Sequence, residues 1–296
     1  MKFLPAKTIL SGYRATDNRW FGINYNMNLY KGCCHGCIYC DSRSDCYRIE
    51  DFETVCAKEN ALQLLEREMR RKRQKGVIGT GAMSDPYNPN ETSLRLTGGA
   101  VELAAKYGFG MAIATKSDSI VRDIGALRQV RRHAPVICKI TITTADDALC
   151  RRIEPFAPPA SARLAAIRRL SEAGLFTGVL LMPVLPFLTD SMESLRRVVE
   201  RAAESGAKFI FPMPGVTLRQ NQRAYFYQQL DKQFPGLKGR YAAAFGNSYE
   251  CISPEASRIW PELLRCIEEN GMLYRMPEIV AASRAGYATE QLSLFD

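Results

Sequence analysis

Residues 110–143 read GMAIATKSDSIVRDIGALRQVRRHAPVICKITIT, in which two short apolar runs flank a longer amphipathic segment. The runs at 110–115 and 136–143 are bounded by Gly, Pro, Ser or Asp, as buried strands are. The segment at 119–133 has the spacing of a helix with one apolar face. Strand, helix and strand in this order are typical of a βαβ unit in a parallel sheet.

The same alternation extends along most of the chain. It predicts further strands at 22–29, 76–82, 176–182 and 208–211, and further helices at 59–74, 97–107, 161–173 and 192–205. Six strands with helices on the outside predict an α/β fold, specifically a partial (β/α)6 parallel barrel over residues 1–215. The alternation then stops, and we expect a helical extension at 216–285 that packs on the barrel and a flexible tail at 286–296.

The composition fits a globular protein of the cytoplasm. The chain has 296 residues, of which 46% are hydrophobic, enough for a full-sized core. We find no run of about 18 apolar residues that would span a membrane, and the first twenty residues do not resemble a signal peptide.

The charge balance is basic, with 40 Lys and Arg against 31 Asp and Glu, a net charge of +9. Such a charge attracts nucleic acid or another polyanion. The alternative is a purely solubilising role, because many of the cations form doublets such as Arg131-Arg132 within several predicted helices.

Four of the ten cysteines fall in the segment GCCHGCIYC at residues 32–40. In a reducing compartment such clustering favours metal binding over disulfides. The segment follows the first predicted strand, and the loops after the strands of a parallel barrel build its active site. Cys33, Cys37 and Cys40 have the spacing CxxxCxxC and can hold three irons of a cubane, which leaves the fourth iron open to a substrate.

Two other metal sites remain as alternatives, a zinc site and an electron-transfer cluster with four protein ligands. Cys34, Cys37, Cys40 and Cys46 can also be grouped for this purpose. The chain has only two histidines and no second CxxC pair at a finger-like spacing, which argues against zinc.

The segment G-C-x-H-x-C-x-Y-C resembles the radical S-adenosylmethionine superfamily, and within it the proteins related to spore photoproduct lyase. The resemblance covers residues 20–215 and implies a [4Fe-4S] cluster on Cys33, Cys37 and Cys40, with Cys34 as a non-ligand. It also implies that S-adenosylmethionine is cleaved to a 5′-deoxyadenosyl radical, that Tyr39 lies along the adenine, and that a flavodoxin or ferredoxin supplies the electron.

Two further strand ends resemble the same family. GTGAMSDPYNP at 79–89 implies that Ser84 holds the amino group of S-adenosylmethionine, and Lys116 after the third strand is implied to face its carboxylate. Thr141 and Thr143 on the fourth strand direct hydroxyls into the barrel, and Thr141 is a candidate for cofactor binding. The alternatives are a proline-rich turn at 79–89 and ordinary strand-end hydrogen bonds.

The chain also departs from spore photoproduct lyase. Ala82 stands where that enzyme has the cysteine that donates a hydrogen atom, and Asp41 stands where these relatives usually carry an aromatic residue. The segment 152–155 with Arg163 again looks like the family. We therefore expect a different substrate, or another residue such as Cys34, Cys46 or a tyrosine to end the radical reaction.

The C-terminal residues 291–295, QLSLF, resemble the linear motif by which bacterial DNA-handling proteins bind the polymerase sliding clamp. Gln291 would bond at the edge of an apolar groove, while Leu292, Leu294 and Phe295 fill it. The alternative is a tail that folds back on its own domain.

Charge, tail and cysteine segment together favour a radical enzyme that acts on DNA, in lesion repair or base modification. A radical enzyme acting on a small molecule, peptide or RNA is the second hypothesis. The third is a non-catalytic metal module recruited to the clamp.

Overall fold

The computed structural model describes residues 2–12 and 20–287. Within them the strands are short, as is usual where both faces of a sheet are covered. The strands are β1 (Lys2–Leu4), β2 (Leu10–Gly12), β3 (Ile23–Met27), β4 (Tyr30–Lys31), β5 (Cys56–Lys58), β6 (Val77–Thr80), β7 (Gly110–Thr115), β8 (Val136–Thr141), β9 (Phe176–Val184), β10 (Phe209–Pro214), β11 (Val216–Thr217) and β12 (Glu250–Cys251).

Helices follow most of the long strands. They are α1 (Ala61–Arg71), α2 (Glu91–Leu94), α3 (Leu96–Tyr107), α4 (Ile124–Arg131), α5 (Asp147–Ile153), α6 (Ala160–Glu172), α7 (Met192–Glu204), α8 (Gln220–Gln233), α9 (Leu237–Phe245), α10 (Ala256–Glu269) and α11 (Met276–Arg284). No helix within the described residues is long and apolar enough to cross a membrane.

The main sheet has seven strands in the order β10-β9-β8-β7-β6-β3-β2. The six from β3 to β10 are parallel to their neighbours, and only β2 runs antiparallel at one edge. Because β10 and β2 lie at opposite edges, the sheet remains open. The predicted α/β class and partial (β/α)6 barrel are thereby confirmed, including all six predicted strands.

Alternate residues of the strands face two separate cores. On β8, Cys138 and Ile140 pack outward among the helices, while Ile137 packs inward against Phe21 and Phe209. Burial on both faces explains why the parallel strands are continuous apolar runs rather than alternating ones.

Local hydrogen bonds explain where the helices depart from the sequence pattern. The helix expected at 119–133 begins with a 3-10 turn at Asp118–Asp123, and the regular α4 follows it. Helix α5 was not predicted, because seven residues are too few for a clear period. The Asp146 carboxylate accepts hydrogen bonds from the N–H groups of Ala148 and Leu149 and caps that helix.

The residues after β10 form four helices and the short β11–β12 pair. Helix α10 packs against α7 outside the sheet, and Ile279 of α11 joins the core inside it. The predicted clamp-binding residues Gln291, Leu292, Leu294 and Phe295 lie outside the described residues.

Candidate active site

A cavity of about 300 Å³ opens where the six parallel strands end. Every one of these strands contributes a residue from its carboxyl-terminal half to the wall, as expected of a parallel barrel. In the order β3, β6, β7, β8, β9 and β10 these are Asn26, Thr80, Thr115, Thr141, Met182 and Met213.

The cysteine loop forms one rim of this cavity and is anchored by its backbone. The N–H of Cys33 donates to the carbonyl of Phe52 at 2.7 Å, and the N–H of Ile38 donates to that of Ile153 at 3.0 Å. Gly32 has φ +84°, and a Cβ there would lie 2.4 Å from the Thr54 carbonyl oxygen. Only glycine allows the chain to turn into the loop so close to that segment.

The three predicted cluster ligands all carry free thiols, and Cys37 is fully buried. Burial raises the pKa of Cys37 well above its usual range, although the Lys116 ammonium opposes this shift. Burial also disfavours the Cys33 thiolate, but the hydrogen bonds and the charge of His35 together outweigh it, so the Cys33 pKa is lowered. A cation or metal is what such buried thiols need in order to ionise.

This donor set fits the expected cluster. Three thiols come from one loop, none is in a disulfide, and Lys116 and His35 supply positive charge beside them. In residues 2–12 and 20–287 no three His, Cys, Asp or Glu side chains, these thiols included, are already arranged around a single ion.

Tyr39 lies on the cavity wall with its hydroxyl directed away into a buried ionic network. That hydroxyl donates to the Glu154 carboxylate, and Lys116 Nζ lies 5.5 Å from the centre of the ring. Glu154 and Arg163 are both inaccessible to solvent and form an ion pair at 2.5 Å. Arg163 also donates to the carbonyl of Thr141 at 2.9 Å, which ties the network to β8.

Lys116 faces the cavity from the end of β7. Burial lowers its pKa, but the neighbouring Cys37 and Glu154 outweigh burial, and its pKa is raised overall. The side chain is therefore a permanent cation, suited to the carboxylate of a ligand.

Asp85 orders the same strand end and was missed as a site residue. Its carboxylate accepts hydrogen bonds from the Thr115 hydroxyl at 2.6 Å and from the Lys116 N–H at 2.8 Å. His35 Nδ1 lies 3.5 Å from it, so Asp85 links the cysteine loop to β7. The signal in the sequence was the Asp that follows Ser84 in the segment 79–89.

Ser84 and Thr143 lie outside the cavity wall, unlike the predicted Thr141. The Ser84 hydroxyl donates to the Gly32 carbonyl and so supports the cysteine loop. Thr143 Oγ1 lies 3.4 Å from Glu154 and belongs to the ionic network.

The two positions at which the sequence departs from spore photoproduct lyase line the cavity, whereas Cys34 and Cys46, the other candidates for ending the radical reaction, do not. Ala82 and Asp41 both line the cavity. Cys34 lines a separate cavity of about 450 Å³, and Cys46 is exposed.

Helix α8 packs beside the cysteine loop and contacts it, and this contact was not predicted from the sequence. Its buried Gln222 donates to the carbonyl of Tyr39 at 3.2 Å. Just before this helix, Arg219 Nε pairs with Asp41 at 3.0 Å.

Relatives with similar sequences are uncharacterised proteins. One from Mycobacterium tuberculosis strain H37Rv is 33% identical over 224 residues, which are 73% of this chain and 66% of the relative. One from Methanocaldococcus jannaschii is 31% identical over 172 residues, 57% of this chain and 63% of the relative. This chain thus spans just under two thirds of the length of these relatives.

Among solved structures, spore photoproduct lyase complexed with dinucleoside spore photoproduct is 14% identical, with a TM-score of 0.68, over 91% of this chain and 80% of that one. A variant of it with bound AdoMet and the same dinucleoside has a TM-score of 0.66 at 15% identity, over 92% of this chain and 82% of that one. The methyltransferase TsrM from Kitasatospora setae, with a tryptophan substrate, has a TM-score of 0.55 at 10% identity, over 89% and 59%.

The sequence model of the Radical SAM superfamily matches residues 27–199, the part of the chain from β3 into α7. Superfamily members use a [4Fe-4S] cluster and S-adenosylmethionine, and the donor set described above fits both. The chain therefore belongs to the radical SAM superfamily and has a fold similar to that of spore photoproduct lyase.

Proposed function

We propose that this chain cleaves S-adenosylmethionine reductively and directs the resulting 5′-deoxyadenosyl radical to a DNA substrate, in lesion repair or base modification. The observation that carries the proposal is a loop of three free thiols, one of which, Cys40, lines a cavity built by all six parallel strand ends. When bound to Cys33, Cys37 and Cys40, the cluster supplies the electron that breaks a carbon–sulfur bond.

The chain's own residues position the cofactor in this proposal. Lys116 holds the carboxylate of S-adenosylmethionine, because a compact ammonium suits that group. Tyr39 presents its ring to the adenine, and the Thr141 hydroxyl offers a hydrogen bond from the cavity wall. We assign Ser84 a role near the amino group through the loop that its hydroxyl supports.

The DNA part of the proposal is supported by the net charge and by a cation–aromatic pair beside the cysteine loop, outside the cavity wall. The net charge is +9, and Arg43, three residues after the last loop cysteine, lies 3.8 Å from the centre of the Tyr225 ring. Cations beside aromatic rings favour phosphates and bases together. The structures of spore photoproduct lyase contain a dinucleoside lesion in a protein of similar fold.

The reaction is tested with anaerobically reconstituted protein, dithionite and S-adenosylmethionine. We expect 5′-deoxyadenosine from the natural sequence and none from Cys33→Ala. Cys34→Ala is the matched control, because this neighbouring thiol lines a different cavity and should leave product formation unchanged. Absence of 5′-deoxyadenosine at full iron content would refute the proposed reaction.

The substrate is tested by label transfer. Deuterium that moves from a deuterated DNA substrate into 5′-deoxyadenosine would support DNA as the target of the radical. DNA affinity should also fall steeply with salt, because phosphate contacts release counterions. Binding without salt dependence, and no transfer, would contradict it.

A small molecule, peptide or RNA is the second candidate substrate. It is favoured by the volume of the cavity, about 300 Å³, which suits a ligand of modest size. The TsrM structure, which contains tryptophan, shows that a related fold accommodates a small substrate.

We also propose that a flavodoxin or ferredoxin donates the electron and that the protein is cytoplasmic.

We further propose that Gln291, Leu292, Leu294 and Phe295 bind the polymerase sliding clamp. Calorimetry of the full chain with a purified clamp tests this binding. Replacement of Leu294 and Phe295 by Ala should abolish binding, whereas binding that survives would exclude this motif.

A further inference from the structure

A second lysine, Lys139, lies inside the barrel. We call the part of the cavity around Lys139 its floor, and the part formed by the cysteine loop and Lys116 its rim. Lys139 is on β8, two residues before Thr141, and only 2% of it is exposed. It lines the same cavity as Lys116. Its Nζ lies 4.5 Å from the centre of the Phe21 ring and makes no hydrogen bond or ion pair with the described residues.

Packing does not account for this ammonium. Taking an unpaired cation out of water costs free energy, and methionine would fill nearly the same space at no such cost. Burial lowers the pKa of Lys139 to about 7, with Cys138 as the one opposing neighbour. A buried polar group that destabilises the fold and faces a cavity is a sign of function.

Within the described residues, the charged groups around the cavity leave Lys139 without a partner, and Asp41, which also lines the cavity, is paired with Arg219. Lys116 is itself a cation and is turned toward Cys37 and Glu154. The Asp85 carboxylate already accepts from Thr115 and Lys116. Lys139 therefore retains hydrogen-bond donors that a ligand in the cavity can use.

The walls near Lys139 indicate which ligand this is. Trp20, Ile23, Leu180 and Met182 line the same cavity and belong to the same core cluster as Phe21, and the amide of Asn26 is a further polar group of the cavity wall. An anionic phosphate would require several donors and would be poorly solvated there. A flat, uncharged ring with a carbonyl oxygen satisfies both the walls and the donor.

We propose that Lys139 is a substrate-binding residue whose Nζ donates a hydrogen bond to a carbonyl oxygen of an uncharged planar ring, of the kind that a pyrimidine base presents. The inference deepens the proposed function and rests on it for the identity of the substrate. It assigns the floor of the cavity to substrate and the rim to cofactor.

Trp20 provides a direct readout, because it lines this floor and Trp260 is the only other tryptophan in the chain. In a Trp260→Phe background, the reconstituted protein with S-adenosylmethionine is titrated with thymidine and with the dinucleotide thymidylyl-thymidine. We expect both to change the fluorescence of Trp20. Lys139→Met should weaken their affinity about tenfold or more, the range expected for loss of a hydrogen bond to a charged donor.

Lys208→Met is the matched control, because Lys208 is exposed just before the adjacent β10, and we expect its affinities to stay within about twofold of the natural sequence. Lys139→Gln keeps a neutral donor and should lose less affinity than Lys139→Met. The melting temperature of Lys139→Met should rise, which shows that the variant is folded.

The outcomes separate this inference from the proposed function. Unchanged affinity in a folded Lys139→Met variant, or no response of Trp20 to either ligand, would overturn the role of Lys139 even if deuterium moves from DNA. Lys139-dependent binding of thymidine without deuterium transfer from DNA would support the role of Lys139 and count against DNA as the substrate.

Discussion

The rim and the floor of the cavity each contain a buried lysine, and the pKa values of the two lysines are shifted in opposite directions. At the rim, Lys116 lies beside Glu154 and the loop thiols, which raise its pKa. On the floor, the Lys139 ammonium lies over the Phe21 ring and pairs with no carboxylate of residues 2–12 and 20–287, and burial lowers its pKa to about 7. The difference shows that the rim carries compensated charge, which stabilises the loop, while the floor carries uncompensated charge, which is kept for a ligand.

The largest effect is expected from breaking the compensated network at the rim. Arg163→Met leaves Glu154 buried without its partner, and this should lower the free energy of unfolding by about 3–5 kcal/mol. Urea denaturation measures the change. Arg197→Met removes an exposed pair with Glu193 and should cost less than about 1 kcal/mol; equal losses in the two variants would contradict a buried network.

A second test asks whether the two lysines serve different ligands. Lys116→Met should weaken the binding of S-adenosylmethionine about 100-fold, since a buried charge pair with the carboxylate is lost. Lys139→Met should weaken it far less. Calorimetry on reconstituted protein measures both affinities. Similar losses of affinity in the two variants would indicate that both lysines bind S-adenosylmethionine.

The third effect concerns pH and follows from the lowered pKa of Lys139. The unfolded chain binds a proton at this position up to about pH 10.5, but the folded chain releases it near pH 7. The contribution of Lys139 to stability therefore rises between pH 7 and 10.5 and is constant below that window.

Lys139→Met lacks this titration and should be more stable than the natural sequence at pH 7, by on the order of 2 kcal/mol once relaxation is allowed for. The advantage should shrink as the pH approaches 10. Urea denaturation of both proteins at several pH values checks this, and a constant difference would show that Lys139 is paired in the folded state.

The smallest effect concerns the contact between α8 and the rim. Gln222→Ala removes the hydrogen bond to the Tyr39 carbonyl and should cost about 1 kcal/mol. Gln228→Ala on the same helix, which makes no such contact with the loop, is the control. Equal stability of the two variants would indicate that the helix does not support the loop.

Residues at the rim were predicted from sequence motifs, whereas Lys139 on the floor was not. The cysteines, Tyr39 and Lys116 stand in short segments whose spacing carries their chemistry, and the structure places Tyr39, Cys40 and Lys116 at one cavity. The 3-10 turn before α4 and the short α5 were not predicted, since they are set by hydrogen bonds that the Ser117 and Asp146 side chains accept from backbone N–H groups rather than by periodicity.

The sequence by itself determined the order of strands and helices, and thereby the parallel barrel and the end of it that carries the cysteine loop. It did so because apolar periodicity and loop chemistry are local properties of the chain. Only the tertiary structure decided that Asp85 joins the loop to β7, that Gln222 donates to the Tyr39 carbonyl, and that Lys139 is buried with no partner in the described part of the chain. Desolvation and long-range pairing depend on what surrounds a side chain in space, which its neighbours in sequence do not specify.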